Sequence, residues 1–176
     1  MHLVIGGRGL VGTALCAELA IRDIAFTATC KRLNHLNEIK LDLLDLVAND
    51  LEQKIRKSLP PAEVVYLVAA KTGFGACEGD RSSWIVNVDA PIMIARHYRT
   101  WPLFTYRCHI VFISSDAVEY CGATAYARQK AQVESYIQSI DGAIVRAGRV
   151  GARVGELARV IADVGVQRRV GLTRWQ

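Results

Sequence analysis

The sequence predicts an α/β protein, a parallel sheet with helices on both faces. Three observations predict it. Apolar stretches of strand length alternate with helical patterns along the chain, which is the order of a sheet built from crossover connections. The first apolar stretch, Leu3-Val-Ile-Gly-Gly-Arg-Gly-Leu-Val-Gly12, breaks into glycines and then into a helix-forming run. The 176 residues are 51% hydrophobic and 22% charged, enough to bury a proper core without disulfides.

The elements follow in order. His2–Gly6 is an apolar strand, and Gly9–Arg22 the helix that leaves its glycine turn. Ile24–Cys30 is the second strand and Ile39–Leu41 a weak third. A helical pattern over Leu44–Ser58 stops at Pro60-Pro61, because a residue before proline is pushed out of the helical region. Glu63–Ala70 is the next strand, then a helix at Arg81–Arg99, with Trp101-Pro102 as the following break. Cys108–Ser114, a helix at Thr124–Ser139, a strand at Ala143–Arg146 and a helix at Val154–Val166 complete the alternation. No internal repeat, low-complexity tract or linker interrupts it, so residues 1–176 are expected to form one domain.

Composition narrows the function. The five cysteines, Cys16, Cys30, Cys77, Cys108 and Cys121, are odd in number and scattered, without a C-x-x-C pair or a histidine at metal-ligand spacing. They read as reduced thiols in a cytoplasmic protein, and no metal site is expected. The start lacks a signal-peptide pattern and no stretch is apolar for long enough to span a bilayer, so no membrane partner is expected. A net charge of +5 raises the question of nucleic acid, with Arg146, Arg149, Arg153, Arg159, Arg168, Arg169 and Arg174 gathered late in the chain. They are interspersed with Asp141, Glu156 and Asp163 and lack interleaved aromatics, which favours a solvated face or a small anionic ligand over nucleic acid.

The glycine motif suits a dinucleotide. Gly7 is expected to take a left-handed turn, Gly9 to let backbone N–H groups approach a pyrophosphate, and Gly12 to let the helix lie close on the strand. The helix N-terminus then directs partial positive charge at the phosphates. Placed after a first strand and before a first helix, this is the arrangement of a Rossmann fold, a doubly wound parallel sheet. Where a protein reading NAD would carry an acid at the end of the second strand, this chain has Thr29-Cys30-Lys31-Arg32. Lys31 and Arg32, with Arg8 from the glycine turn, suit the 2′-phosphate of NADP(H), which is therefore preferred over NAD(H).

A second constellation is Tyr126-Ala-Arg-Gln-Lys130 on a helix, with Ser114-Ser115 ending the strand before it. A spacing of four puts Tyr126 and Lys130 on one helix face. A nearby ammonium is expected to lower the tyrosine pKa toward working pH, making the hydroxyl usable in proton transfer. A serine at the strand end is placed to hold a substrate oxygen beside it.

Together these motifs resemble the extended short-chain dehydrogenase/reductases, most closely the dTDP-4-keto-rhamnose reductase group. Ile5-Gly6-Gly7-Arg8-Gly9-Leu10-Val11-Gly12 is similar to that family's cofactor turn, and Asp42-Leu43 to its adenine-contacting acid after the third strand. Val68-Ala69-Ala70-Lys71-Thr72 resembles the segment that lines the cofactor after the fourth strand. Cys77-Glu78 with Asn87-Val88 is similar to the following helix, whose asparagine supports the active site. Ser114-Ser115-Asp116-Ala-Val118 resembles the Ser-Thr-Asp-x-Val element, which maps the catalytic hydroxyl onto Ser115 and leaves Ser114 beside the cofactor. Tyr126 and Lys130 match the family's tyrosine and lysine, and Ile144-Val-Arg146 its sixth strand.

The resemblance implies reduction of a ketone or keto-sugar-like carbonyl compound, with Tyr126 protonating the oxygen, Ser115 positioning it, and Lys130 tuning the tyrosine and holding the nicotinamide ribose. Two departures stand out. Only ten residues separate Ser115 from Tyr126, and little chain follows the sixth strand, where family members continue into a substrate lobe. The expected face is therefore shallow and open, completed by self-association through residues 150–170 or by a partner protein. Alternatives within the same resemblance are a non-catalytic NADP-binding or regulatory subunit and a sugar-nucleotide epimerase or dehydratase.

Overall fold

The computed structural model describes residues 1–32, 38–47, 51–100 and 107–175. Strand β1 (His2–Ile5) is central and its Leu3, Val4 and Ile5 are fully buried. The chain first builds outward on one side of it, through α1 (Leu10–Ile21), β2 (Phe26–Cys30) and β3 (Glu38–Lys40). It then crosses to the other side for β4 (Val64–Leu67), β5 (His109–Ser115), β6 (Ala143–Ala147) and β7 (Gly171–Trp175). All seven strands are parallel, in the order β3-β2-β1-β4-β5-β6-β7. The direction of building reverses between β1 and β4, and in open parallel sheets ligands lie beyond the strand C-termini at such a reversal.

Because side chains alternate along a strand, each strand feeds two cores. Leu3, Ile5, Val65, Leu67, Ile110 and Phe112 pack under α5 (Ala90–Thr100) and α7 (Ala125–Ser139). Val4, Tyr66, Val111, Ile113 and Val145 pack on the other face, under α1 and α8 (Val154–Val166). Arg22 locks these two helices together, bonded to Glu18 at 2.7 Å and to Asp163 at 2.6 Å. Between residues 150 and 170, Leu157, Ala158, Ile161, Ala162 and Val164 are buried within the chain, and Val166 and Val170 are exposed.

Several elements depart from expectation. Strand β7 was not anticipated, because its burial alternates, with Leu172 and Arg174 exposed and Trp175 buried. That pattern belongs to an edge strand and lacks the continuous apolar run of the central ones. The expected helix over Arg81–Arg99 is interrupted: α4 (Arg81–Trp84) and α5 flank a π-helical turn at Ile85–Asp89. Pro91 has no N–H to give to the Asn87 carbonyl four residues back, which accounts for the break. The Leu44–Ser58 pattern resolves into a 3₁₀ turn at Leu43–Val47 and a short α2 (Leu51–Ser58). Two four-residue helices, α3 (Phe74–Cys77) and α6 (Ala117–Tyr120), lie in connections to which the sequence pattern assigns no element. Trp101-Pro102 lies outside the described residues. Among the described residues no helix is long and apolar enough to cross a membrane, and the five cysteines are unpaired with one another.

Candidate cofactor cleft and catalytic cluster

The glycine turn owes its shape to close approaches. Gly6, not Gly7, carries the left-handed backbone, with φ +93°, and a Cβ there would stand 2.7 Å from Ala69 Cβ. Gly7 is required for a different reason than expected, since its Cβ would lie 2.6 Å from Ala28 Cβ on β2. Gly12 acts as anticipated: a Cβ would fall 2.1 Å from the Gly6 carbonyl oxygen, so the helix rests directly on the turn. Gly9 is the N-cap of α1, has no side-chain cap, and is followed by a first turn without an acidic residue. The N–H groups of Leu10, Val11 and Gly12 lack intrahelical partners by position and face the strand ends, an anion-ready cradle.

Around this cradle lies a cleft of about 630 Å³, lined by Gly6, Arg8, Gly9, Leu10 and Val11 from the turn, and by Thr29, Cys30 and Lys31 from the end of β2. Leu41, Asp42, Leu43 and Leu44 close one side, Val68, Ala69, Ala70 and Thr72 the other, with Val86 and Val150 beyond them. Thr29 fixes the turn to β2 by accepting Gly7 N–H at its carbonyl (2.9 Å) and Gly6 N–H at its hydroxyl (3.0 Å). Ala69 N–H donates to the Ile5 carbonyl at 2.9 Å, which holds the segment after β4 against the turn.

The cations expected at the 2′-phosphate are already engaged. Arg8 Nε lies 2.5 Å from Glu38, and Lys31 Nζ 2.8 Å from Asp42. Lys31 holds the Asp42 carboxyl below its ordinary range, and Asp42 also accepts Leu44 N–H. Arg32 is exposed and does not line the cleft. The Lys71 ammonium turns away to Asp80 (2.6 Å) and Ser82 (3.1 Å). Its backbone, by contrast, is clamped by Asn87, which accepts the Lys71 N–H and donates to the Lys71 carbonyl, each at 2.8 Å.

That asparagine belongs to the π-helical turn, and its amide also donates to Gln129 at 2.8 Å. Gln129 is buried on α7 and donates onward to Ser83. The chain of amides thus connects the cofactor-side segment after β4 to the helix carrying Tyr126 and Lys130. Gln129 carried no sequence signal of its own, sitting between two matched residues as a polar position with no expected partner.

At the end of β5 the Ser115 hydroxyl accepts Ala117 N–H at 3.2 Å and donates to Asp116 at 3.3 Å. Burial pushes the Tyr126 hydroxyl up in pKa, and the neighbouring Ser115 hydroxyl only partly opposes it. The expected depression of the tyrosine by Lys130 is therefore absent. The reason is geometric: Lys130 Nζ donates to the Ile113 carbonyl at 2.8 Å, sits 4.6 Å from the centroid of the Phe112 ring, and is 5.9 Å from that of Tyr126. Burial itself lowers the Lys130 ammonium to a pKa of about 8, against a weaker opposing effect of Glu134. Next to this cluster Ser114 Oγ is buried and has no partner among the described residues. Phe74, unflagged by the sequence, places its ring 6.1 Å from that of Tyr126 and is half exposed.

The cradle and the orphaned hydroxyl fit a dinucleotide laid across the strand ends. A parallel seven-stranded sheet with this turn at its reversal point is a Rossmann fold. The chain belongs to the RmlD substrate binding domain family, whose model matches residues 1–150. Its fold is shared with a hypothetical dTDP-4-dehydrorhamnose reductase from Sulfolobus tokodaii, at TM-score 0.80 and 21% identity, over 99% of this chain and 76% of that one. A short-chain dehydrogenase/reductase from Serratia marcescens matches at TM-score 0.79 and 18% identity, over 99% of this chain and 94% of that one. MoeE5, solved in complex with UDP-glucose and NAD, matches at TM-score 0.75 and 18% identity, over 98% and 74% of the two chains. No curated protein sequence matches this chain significantly.

Proposed function

We propose that this protein is an NADP(H)-dependent reductase of a ketone or keto-sugar-like carbonyl compound, with residues 1–176 acting as one cofactor-binding unit. The observation that carries the reading is the glycine-cradled cleft at the reversal of the sheet, with Ser115 at the end of β5 and Tyr126 and Lys130 on α7. The cradle of Gly6, Gly9 and the first turn of α1 would hold the pyrophosphate, the segment Val68–Thr72 the far side of the dinucleotide, and Arg8 and Lys31, the two cations that line the cleft among the described residues, the 2′-phosphate. When bound, the nicotinamide supplies the hydride.

The protein supplies the proton and the geometry. A tyrosine whose pKa is raised stays a phenol at neutral pH, the form that donates to an oxygen gaining negative charge. Ser115 holds that oxygen within reach of the phenol. Lys130, one helical turn on, is poised to hold ribose hydroxyls and steady the ring of Tyr126. The Asn87–Gln129 pair keeps the two halves of the site in register.

The Arg8–Glu38 and Lys31–Asp42 pairs support a second reading, in which NAD(H) is used as readily as NADP(H), as an epimerase or dehydratase with tightly held NAD would require. Steady-state reduction across a panel of ketones and keto-sugars with each nucleotide tests both. Turnover with NADPH that collapses in Tyr126→Phe supports the reductase. Nucleotide binding without turnover of any member of the panel would point instead to a regulatory subunit.

A further inference from the structure

Ser115 reaches the catalytic cluster on one segment, Tyr126 and Lys130 on another, and the distance between the two segments has to be fixed. Ser115 ends β5, and its hydroxyl accepts the N–H of Ala117 at the start of α6. Tyr126 and Lys130 lie on α7. Residues 121–124, which join α6 to α7, form no helix or strand, so the spacing of the two helices depends on contacts between them.

Arg146 touches both helices at once. It sits on β6 in register with Ser114 of β5, and its side chain is 14% exposed. Nε and Nη2 grip the two carboxylate oxygens of Glu134, Nε at 2.8 Å, while Nη1 donates to Glu119 at 2.5 Å. Glu134 lies one turn beyond Lys130 on α7 and is 5% exposed, and Glu119 belongs to α6. Arg174 on the edge strand β7 donates to the same Glu119 oxygen at 2.6 Å, so α6 is held from two strands. A guanidinium can bind one carboxylate in a fork and still reach a second, a geometry that an ammonium cannot copy. Because desolvation offsets much of its attraction, a buried ion pair is a weak source of net stability and a strong constraint on orientation.

We propose that Arg146 is a positioning residue for the reaction: by bridging Glu134 and Glu119 it sets α7, with Tyr126 and Lys130, against α6 and the hydroxyl of Ser115. This rests on the reading that the cluster reduces a carbonyl compound. None of Arg146, Glu134 and Glu119 lines the cofactor cleft, so cutting the bridge separates chemistry from nucleotide binding. Glu119→Ala cuts it on the α6 side at a residue 27% exposed, and Arg146→Lys cuts it while leaving a cation beside the buried Glu134.

Four full-length proteins test the proposal: wild type, Glu119→Ala, Arg146→Lys and the double variant. Each is measured by thermal unfolding, by calorimetric titration with NADPH, and by initial rates with NADPH and the member of the ketone and keto-sugar panel that the wild type reduces fastest. A misplacement of about 1 Å can cost about a hundredfold in rate, so each single variant is expected to lose at least about tenfold in kcat. NADPH affinity is expected to stay within about twofold, a split that general loosening of the fold would not produce. The double variant is expected to fall no further than the less active single one, because both changes cut the same bridge. Should Arg146→Lys fold poorly, Glu119→Ala alone carries the first two expectations. Folded single variants with wild-type kcat, equal losses in kcat and NADPH affinity, or losses that multiply in the double variant overturn the proposal and leave the reductase reading standing. A wild type that reduces no member of the panel overturns both.

Discussion

Replacing Gly12 with alanine puts a methyl group where the backbone leaves no room. The new Cβ would stand 2.1 Å from the Gly6 carbonyl oxygen and 2.9 Å from Gly7 Cα. Both are main-chain atoms of the cradle, so no rotamer change can relieve the contact. An ordinary carbon–oxygen separation of about 3.3 Å requires the start of α1 to move roughly 1.2 Å off the turn. Overpacking of a tight site costs about 3 kcal/mol at the upper end, and alanine returns about 1 kcal/mol of helix propensity, for a net loss of about 2 kcal/mol. For a chain of this size that lowers Tm by roughly 4 to 8 °C. The displaced first turn also carries the N–H groups of the cradle, so dinucleotide affinity is expected to fall by at least about a hundredfold. Gly9→Ala is the control: its Cβ would meet nothing closer than 3.6 Å and its φ is −71°. That variant is expected to keep its Tm within about 2 °C, while crowding the face on which a pyrophosphate would lie. Thermal unfolding and calorimetry read both effects. A Gly12→Ala protein with wild-type Tm and affinity refutes the account of the turn.

Three further outcomes are expected. Lys130→Met removes a charge that burial disfavours: with a folded pKa of about 8 against 10.5 unfolded, the cost to the wild type is on the order of 3 kcal/mol below pH 8, less about 1 kcal/mol for the bond to Ile113. The unfolded chain binds more protons between these pKa values, so wild-type stability should rise with pH from 8 toward 10.5 relative to the variant, and the variant should be the more stable at pH 7. Urea unfolding at pH 7 and 9.5 checks both. Tyr126→Phe is expected to leave Tm and NADPH affinity nearly unchanged and to reduce ketone turnover by at least about a hundredfold; a smaller loss in initial-rate assays removes the tyrosine from the proton path. The wild type is expected to favour NADPH over NADH by about tenfold at low salt, a preference that shrinks as ionic strength rises, and equal calorimetric affinities would rule it out.

Much of the fold is legible because buried parallel strands are long apolar runs. Val64–Leu67 and His109–Ser115 are apolar for nearly their whole length, and no competing period exists. The helix Val154–Val166 was legible residue for residue, with its apolar face on the sheet. Elements at the periphery were harder to read: β7 alternates as an edge does, and the π-helical turn arises from a missing N–H at Pro91 that a hydrophobic pattern does not register. The candidate site divides in the same way. Residues that act through backbone shape or helical spacing, such as Gly12, Tyr126 and Lys130, sit in motifs a few residues long. Glu38 and Gln129 act through partners 30 and 42 residues away, Arg8 and Asn87, and nothing local announces such pairings.

The two ends of the sheet also differ in the polar groups they carry. At the N-terminal ends of the strands the Met1 ammonium meets Glu63 at 3.0 Å and His2 bonds the Tyr66 hydroxyl at 3.1 Å, with His109 Nε2 left without a partner among the described residues. At the C-terminal ends lie the side-chain-uncapped start of α1, the orphaned Ser114 hydroxyl and the buried Lys130 ammonium on a carbonyl. The start of α1 lines the cleft, where a dinucleotide would supply phosphate oxygens as partners, while Ser114 and Lys130 are buried near the end of β5. With one unpartnered buried polar atom at each end among the described residues, His109 Nε2 and Ser114 Oγ, it is the side-chain-uncapped start of α1 that favours a ligand rich in acceptors at the strand C-termini. Saturating NADPH should accordingly raise Tm in the wild type more than in Lys130→Met, since the variant has one fewer donor for the nucleotide to satisfy.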